Sequence, residues 1–415
     1  MSISSATRLL HASLAVLACL FLLTPIALHA ETATADQLFD PMSLGRIDLH
    51  LNSADWAKLK QNYLDNTYYP ADFTWNGQTL YNVGIRSRGR GSRSSNKPGL
   101  RVDFNRYSDT QRFLGLKSLV LDNLSQDGSG IHETVTMRFF ERLGLNAPRE
   151  THVKLYVNDE YAGLYGLIES VDKQMLARLF GVIGDDTQND GWLYEFVYQD
   201  HWLFTDFGTD LRDIKLRFDA KTHESKPDED KYRKIQELIT LVNQTPEDRF
   251  DEVIGPRFDL PGFIRFVAAQ AYVGETDGFL GAYGINNFYL YRLENQEKHV
   301  LIAWDDDNAF WGPAFPVLPP TDNILMSKLM RIPAYNQLWY AELARANQLA
   351  EQDDWLNTEI IRQVQMIDEP MKADQYKPYS NSAYEGKVGD MLAFARTRIA
   401  YVKCALVSGD RACGG

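Results

Sequence analysis

The first half of the chain alternates apolar and polar residues in short runs that are typical of β-strands. Gly45 to Leu51 alternates in this way, and so does the run from Leu100 to Phe104. Asn76-Gly77 lies between two such runs, and this dipeptide favours the tight turn of a β-hairpin. A second hairpin is predicted from the alternation at 153–157, a polar turn and the return at 161–169. The first half is therefore predicted to be rich in strands.

The spacing of the apolar residues changes to that of helices in the later segments. Ile131, Val135, Phe139 and Leu143 recur every four residues, and Gly144 follows as a stop signal. Apolar periodicity predicts further helices at 230–243, 261–273, 338–350, 354–367 and 384–402, with a strand hairpin at 288–293 and 299–304 between them. Strands dominate the first half and helices the second, which predicts an α+β, two-lobed enzyme rather than alternating βαβ units.

The N-terminus has the pattern of a secretory signal peptide. Within residues 1–30, Arg8 precedes an apolar run from Leu14 to Leu23, and the segment ends at Ala30. The pattern allows cleavage after Ala30 or after Ala35. Residues 31–44 are then predicted to be a polar linker.

The mature chain that this cleavage predicts keeps two cysteines, Cys404 and Cys413. In an oxidising compartment such a pair predicts one local disulfide that fixes the C-terminal tail. No later segment is long and apolar enough to predict a stable membrane span. The formal net charge of −13 argues against nucleic-acid binding. The sequence therefore predicts a periplasmic or secreted protein.

Three consecutive carboxylates, Asp305 to Asp307, follow an apolar run that ends in Trp304. Adjacent carboxylates repel one another unless a cation or open water compensates the charge. The nearby Phe310 and Trp311 indicate partial burial, so a divalent metal at a strand end is one interpretation. An acidic surface turn and a structural calcium site remain alternatives at this point.

Six cations lie between residues 86 and 101 without an intervening acid, namely Arg86, Arg88, Arg90, Arg93, Lys97 and Arg101. Gly89 and Gly91 lie among them, and small residues let backbone amides approach an anion. The pattern indicates an anion site, and phosphate is the anion that it suits best. A solvated loop whose arginines pair with surrounding acids is an equally good interpretation of the loop alone.

Three polar residues elsewhere occur in the order that phosphoryl transfer by protein kinases uses. Asp277 lies in a loop, Asn287 follows ten residues later, and Asp305 comes after a hairpin. Glu169 ends an apolar strand and is predicted to pair with a cation, for which Lys97 is a candidate. Turn-forming acids and an exposed strand-end carboxylate are the simpler alternatives.

Several motifs together resemble the CotH (spore coat protein H) kinase family. They are Val83 to Gly89, Lys97-Pro98, Leu155 to Tyr165, Glu169, Thr276 to Gly278, Asn287 to Arg292, and Trp304 to Asp307. The resemblance runs in order over residues 45–345. It implies a kinase-like domain over that range, followed by a C-terminal helical extension at 346–415. It also implies an atypical, protein-kinase-like two-lobed fold that uses ATP with Mg²⁺ or Mn²⁺.

The resemblance also implies roles for individual metal-binding and catalytic residues. Asp305 resembles the principal metal ligand, with Asp307 beside it. Asn287 resembles the second metal contact. Asp277 resembles the residue near the acceptor hydroxyl.

Other residues of the family pattern would contact the nucleotide. Lys97 resembles the phosphate-binding lysine paired with Glu169, and Lys221 lies in a further family-like segment that would reach the nucleotide. Arg88 in the basic run is a further candidate for binding the nucleotide. Asn96 and Asp103 stand where family members often carry lysine, and Arg101 is the candidate to compensate.

The leading hypothesis is an exported kinase that transfers the γ-phosphoryl group of ATP to Ser or Thr of a surface or periplasmic protein. The alternative is a catalytically inactive kinase-like protein that binds or adheres at surfaces, with Tyr68, Tyr69, Trp192 and Trp202 as its candidate contacts. Transfer of the nucleotide instead of the phosphoryl group is a third hypothesis that uses the same metal.

Overall fold

A closed β-barrel occupies the first half of the chain in this computed structural model, which describes residues 33–183, 186–320 and 322–413. Its strands are β1 (Gly45–Leu51), β2 (Tyr69–Trp75), β3 (Gln78–Arg88), β4 (Gly99–Asp103), β5 (Ser118–Asp122), β6 (Glu150–Val157) and β7 (Glu160–Glu169). Strands are paired in the order β1-β2-β3-β4-β5-β7-β6, and a parallel pairing of β1 with β6 closes the barrel. The predicted signal peptide at residues 1–30 lies outside the described residues.

The two predicted hairpins are confirmed within this barrel. Asn76 and Gly77 both have positive φ angles, 47° and 74°, as the tight turn between β2 and β3 requires. The second turn, at Asn158 and Asp159, also has positive φ and joins β6 to β7. Apolar side chains such as Phe73 point into the barrel and are fully buried, because alternate residues of a strand face opposite sides.

A second, four-stranded antiparallel sheet follows the barrel. Its strands are β10 (Trp192–Phe196), β11 (Phe218–Ala220), β12 (Phe288–Arg292) and β13 (His299–Ala303), in the order β11-β10-β12-β13. The short strands β8 (Val182–Ile183) and β9 (Asp186–Thr187) form a separate pair. A small apolar core that includes Ile168, Tyr289 and Trp304 joins the barrel to this sheet.

Helices form most of the rest of the described chain. They are α1 (Ala35–Leu38), α2 (Ser53–Gln61), α3 (His132–Arg142), α4 (Lys173–Phe180), α5 (Arg212–Arg217), α6 (Asp228–Gln244), α7 (Phe250–Ile254), α8 (Leu260–Val273), α9 (Ile324–Arg331), α10 (Pro333–Glu351), α11 (Trp355–Ala373) and α12 (Asn381–Ser408). Strand-rich and helix-rich parts occur where the sequence predicted them, so the α+β class is confirmed. The predicted boundary at residue 345 falls inside α10, and the predicted linker at 31–44 contains α1.

The largest apolar core lies among the helices, and the fully buried Trp339 is one of its largest side chains. Cys404 and Cys413 form the predicted disulfide at the end of α12. Across the part of the chain that the structure describes, no helix has the length and hydropathy of a membrane span.

Candidate active site

The hairpin of β12 and β13 brings Asn287 and Asp305 to the same end of the second sheet. Phe288 pairs with Ala303, so the residues just outside this pair, Asn287 and Trp304, are neighbours. Asn287 and Asp305 both have positive φ angles, 55° and 59°. Such strained conformations in residues other than glycine are often found at functional sites.

Asp277 lies in the loop that connects α8 to β12. Gly274 ends α8, the helix predicted at 261–273, with a left-handed φ of 70°. The Asp277 Oδ2 atom accepts hydrogen bonds from the side-chain amides of Asn286 at 3.1 Å and Asn287 at 3.2 Å. Burial raises the pKa of Asp277, and these two amides partly oppose the rise. Because the Asn287 nitrogen is directed at Asp277, its amide oxygen is the atom suited to a cation.

Backbone contacts hold this loop against the acidic segment. The Thr276 N–H and hydroxyl both donate to the carbonyl of Asn308, each at 3.3 Å. Gln270 connects the same parts through its side chain, donating to Asp306 at 2.7 Å and accepting from the Phe279 N–H at 3.0 Å. The loop of Asp277 and the segment that follows β13 therefore form one hydrogen-bonded unit.

The three consecutive aspartates have different surroundings. Burial raises the pKa of Asp305 to about 6, although Arg88 opposes the rise. Asp306 is fully buried, and one of its oxygens has no hydrogen-bond partner. Burial and the charge of Asp305 raise the pKa of Asp307 well above its usual value. This clustering of carboxylates favours a cation, which would relieve their repulsion.

Cations and polar groups from the barrel and the second sheet meet beside Asp305. Burial works to lower the pKa of Arg88, but the carboxylates of Asp122 and Asp305 outweigh burial and raise it. The Arg88 guanidinium also lies 5.5 Å from the Trp304 ring. Arg88 is therefore the cation of the basic run that the structure places next to the acidic segment.

Two other residues predicted to bind the nucleotide, Arg101 and Lys221, lie near Tyr289, the residue after Phe288 in β12. Both Arg88 and Arg101 act electrostatically on the Tyr289 hydroxyl, and Arg101 donates to Ser118 at 3.0 Å. Lys221 forms an ion pair of 2.6 Å with Glu195, which lies opposite Tyr289 in the sheet. Arg88, Arg101 and Lys221 thus approach a common region between the barrel and the second sheet.

The predicted pairing of Lys97 with Glu169 is wrong. Lys97 Nζ lies 2.7 Å from the Asp374 carboxylate and 2.7 Å from the Leu164 carbonyl, and the residue is only 3% exposed. Glu169 instead pairs with Arg149 and Arg178, each at 2.6 Å. Lys97 meets β7 near Leu164, and the five residues from there to Glu169 span about 16 Å of strand. The ammonium group of Lys97 is therefore held by Asp374, at the C-terminal end of α11.

The sequence did not indicate a group of acids that lies on the barrel side of the site. Asp122, Asp127, Glu133 and Glu150 line a small cavity of about 10 Å³ together with Asp307. Burial raises the pKa values of Glu133 and Glu150 well above the usual range, and a hydrogen bond with Glu133 partly opposes the rise at Glu150. The pattern that marked Asp305, an acid directly after an apolar strand, also occurs at Asp122 and could have indicated it.

Asp305, Asp307 and Asn287 supply oxygen donors of the kind that Mg²⁺ and Mn²⁺ prefer. Over residues 33–183, 186–320 and 322–413, no three acidic, histidine or cysteine side chains converge as ligands of one metal ion. Mg²⁺ is commonly held by one or two carboxylates together with substrate phosphates and water. The unpartnered oxygen of Asp306 and the raised pKa of Asp305 also show a local deficit of positive charge. The donors present therefore fit a metal that binds with a nucleotide.

Comparison with known proteins identifies relatives of this chain. The family model described as CotH kinase protein matches residues 85–402, and so extends past the predicted boundary at residue 345. Inner spore coat protein H of Bacillus subtilis (strain 168) is 24% identical over 272 residues, which cover 64% of this chain and 68% of that protein. Spore coat protein homolog 1 of Rhizopus delemar is 21% identical over 189 residues, which cover 45% of this chain and 29% of that protein.

Among solved structures, the Helicobacter pylori proinflammatory kinase CtkA aligns with 74% of this chain and 94% of its own, with 12% identity. Its TM-score of 0.31 is too low to carry a structural conclusion. The family match covers more than half of the residues. The chain therefore belongs to the CotH kinase protein family and is a kinase-like protein.

Proposed function

We propose that this protein is an exported atypical protein kinase that transfers the γ-phosphoryl group of ATP to Ser or Thr of a surface or periplasmic protein, with Mg²⁺ or Mn²⁺. One observation carries the proposal. Asp277, Asn287 and Asp305 lie together at one end of the second sheet, as the hydrogen bond from Asn287 to Asp277 and the pairing of β12 with β13 require. Phosphoryl transfer needs an acid near the acceptor hydroxyl and oxygen ligands for metal in this arrangement.

Asp277 is suited to accept the proton of the acceptor hydroxyl. The hydroxyl oxygen forms a bond to the γ-phosphorus, the bond from that phosphorus to the bridging oxygen breaks, and ADP leaves with the electron pair. Burial raises the pKa of Asp277, which makes its carboxylate a better base than an exposed aspartate. The amides of Asn286 and Asn287 fix the Asp277 side chain, so the acceptor meets an oriented base.

Cationic side chains would neutralise the phosphates. Arg88 and Arg101 approach from the barrel and Lys221 from the second sheet. A guanidinium group can donate two parallel hydrogen bonds to a phosphate, which suits Arg88 and Arg101 to this role. Asp305, Asp307 and Asn287 would hold a divalent metal, which when bound neutralises phosphate charge. Asp306 is not a metal ligand in this proposal, because the side-chain amide of Gln270 donates a hydrogen bond to it on the buried side of the loop.

Export is supported by the disulfide between Cys404 and Cys413, because disulfides persist mainly in oxidising compartments. The alternative of an inactive binding protein gains no support from the aromatics named for it. Tyr68, Tyr69 and Trp192 are partly buried, and Trp202 is only 3% exposed.

The direct test is transfer of ³²P from γ-labelled ATP to the protein itself and to a mixture of basic and acidic test proteins, with Mn²⁺ and with chelator. Asp305→Asn and Asp277→Asn keep the side-chain volume and remove the charge, so both are expected to lose transfer by at least about 100-fold. Asp159→Asn is the matched control, since its carboxylate is 82% exposed on a barrel turn. Full transfer by Asp305→Asn would refute the proposal. Nucleotide transfer would release the γ-label with pyrophosphate, so a protein that stays unlabelled but gains the mass of a nucleotide in mass spectrometry would replace the proposal by nucleotide transfer.

A further inference from the structure

Trp311 is unusual among the tryptophans of this protein. All eight lie in the described part of the chain, and Trp311 alone is exposed, with 75% of its surface accessible. It follows the acidic segment Asp305–Asp307 after three residues. Indole is the largest apolar side chain and is usually buried in part at least, so a fully displayed tryptophan beside a candidate site indicates a contact surface.

Phe310, which precedes Trp311, has a strained backbone conformation, and the rings of these two residues point in opposite directions. Phe310 has a φ of 59°, an uncommon value for a bulky residue. Its own ring is buried 5.1 Å from Phe394 and 5.5 Å from His132, and its N–H donates to the Val273 carbonyl at 2.7 Å. Burying Phe310 in this way directs Trp311 outward.

The segment that follows Trp311 is held from both sides by the C-terminal helix and tail. The guanidinium of Arg398 is fully buried and donates to the carbonyls of Pro313 at 2.9 Å and of Phe315. Asp410, inside the loop closed by the Cys404–Cys413 disulfide, accepts from the N–H groups of Val317 at 3.0 Å and Leu318 at 2.8 Å. Trp311 therefore stands on a segment whose position is fixed before any ligand binds, which lowers the entropic cost of binding.

A second exposed aromatic stands on the neighbouring loop. Tyr283 is 64% exposed, and its neighbour Ala282 donates from its N–H to the Thr276 carbonyl at 2.9 Å. Tyr283 therefore lies beside Asp277. Trp311 is three residues from Asn308, which bonds to Thr276, and three residues span at most about 11 Å. Both aromatics thus stand on the two loops that meet at Thr276, the residue before Asp277.

We propose that Trp311 and Tyr283 bind an apolar side chain of the acceptor polypeptide, close in its sequence to the serine or threonine that receives the phosphoryl group. This inference rests on the proposed kinase function and adds a substrate class to it. Residues 308–320 carry no charged side chain. An apolar side chain that binds there therefore removes no charged group of this surface from water. The five carboxylates in the two loops, Glu275, Asp277, Asp305, Asp306 and Asp307, disfavour an acidic acceptor segment.

The test uses an array of synthetic serine peptides in which each position around the serine is Leu, Phe, Lys, Asp or Gly. Binding of the labelled full-length protein is read without nucleotide, so the readout does not require transfer. Wild type is expected to prefer peptides with Leu or Phe at a fixed offset and to reject Asp. Trp311→Ala is expected to bind the preferred peptides about tenfold more weakly than wild type. Tyr283→Ala is expected to weaken binding of the same peptides.

Tyr81→Ala is the control, because Tyr81 is 69% exposed on the barrel strand β3. It is expected to keep the preference, and an unchanged melting temperature of Trp311→Ala would show that the fold is intact. The inference is overturned if wild type binds all peptides alike, or if Trp311→Ala keeps the apolar preference. Nucleotide-induced stabilisation of Trp311→Ala, measured in parallel, reports on the proposed kinase function separately and is expected to equal that of wild type.

Discussion

Replacing Lys97 by Met tests whether this lysine serves the fold or the nucleotide. The side chains of Lys97 and Asp374 are 2% and 0% exposed, and the Lys97 ammonium also donates to the Leu164 carbonyl. Lys97→Met leaves the Asp374 carboxylate buried without its cation. Breaking a buried ion pair in this way costs about 3–5 kcal/mol of folding free energy.

The double variant Lys97→Met/Asp374→Asn is the matched control. The N–H groups of Leu164 and Tyr376 donate to the two Asp374 oxygens at 3.1 Å and 2.8 Å, and the amide oxygen that Asp374→Asn introduces can still accept one of these hydrogen bonds. No unpaired charge then remains. The double variant is therefore expected to be about 1–2 kcal/mol more stable than Lys97→Met alone, a coupling that independent sites would not show.

Urea unfolding followed by tryptophan fluorescence measures both differences through the transition midpoint. ATP stabilisation is measured on the same variants below their unfolding temperatures, and the folded single variant is expected to keep it. The reasoning is refuted if Lys97→Met stays within about 0.5 kcal/mol of wild type. Loss of stabilisation by ATP together with an unchanged unfolding midpoint would instead show that Lys97 binds the nucleotide.

Two further predictions concern a buried histidine and the arginine beside the acidic segment. Burial lowers the pKa of His299 to about 4. Between its ordinary pKa and this value, the unfolded chain binds more protons than the folded chain, so the free energy of unfolding decreases as the pH is lowered. Between pH 7 and pH 5, wild type is therefore expected to lose about 2 kcal/mol of unfolding free energy relative to His299→Gln, measured by urea unfolding at each pH. If the difference between the two proteins is the same at both pH values, the histidine is not buried in its neutral form. Arg88→Gln is expected to weaken ATP binding by about 10- to 100-fold, because a charge-assisted contact to phosphate is lost, whereas Arg90→Gln on the exposed part of the same loop changes it little. Equal effects of the two substitutions in titration calorimetry would show that the basic run acts only through its overall charge.

Local patterns in the sequence were sufficient for much of the fold. The turn at Asn76-Gly77, the helix predicted at 261–273 and the hairpin before Asp305 depend on neighbouring residues, and the structure has each where it was predicted. Closure of the barrel depends on a parallel pairing of β1 with β6, which are about a hundred residues apart. Non-local pairings of this kind leave no periodic signal in either strand.

The same distinction applies to the site. Asp277, Asn287 and Asp305 could be predicted to lie together because they lie at the ends of elements that the sequence reveals, and the structure does bring them together. Lys97 was paired wrongly because its partner, Asp374, comes from a helix near the other end of the chain. Burial of Glu133 and Glu150 depends on how α3 packs against the barrel, and charge patterning alone presents both as ordinary surface acids.

The most direct test of a metal-dependent nucleotide site is the stabilisation of the protein by ATP with and without Mn²⁺, for wild type and Asp305→Asn. With ATP at about 100 times its dissociation constant, the wild type is expected to gain about 2.7 kcal/mol in the presence of Mn²⁺. Removal of Mn²⁺ by chelator, or substitution of Asp305, is expected to abolish most of this gain. An equal gain in Asp305→Asn, or no gain in wild type with any divalent metal, would contradict the account.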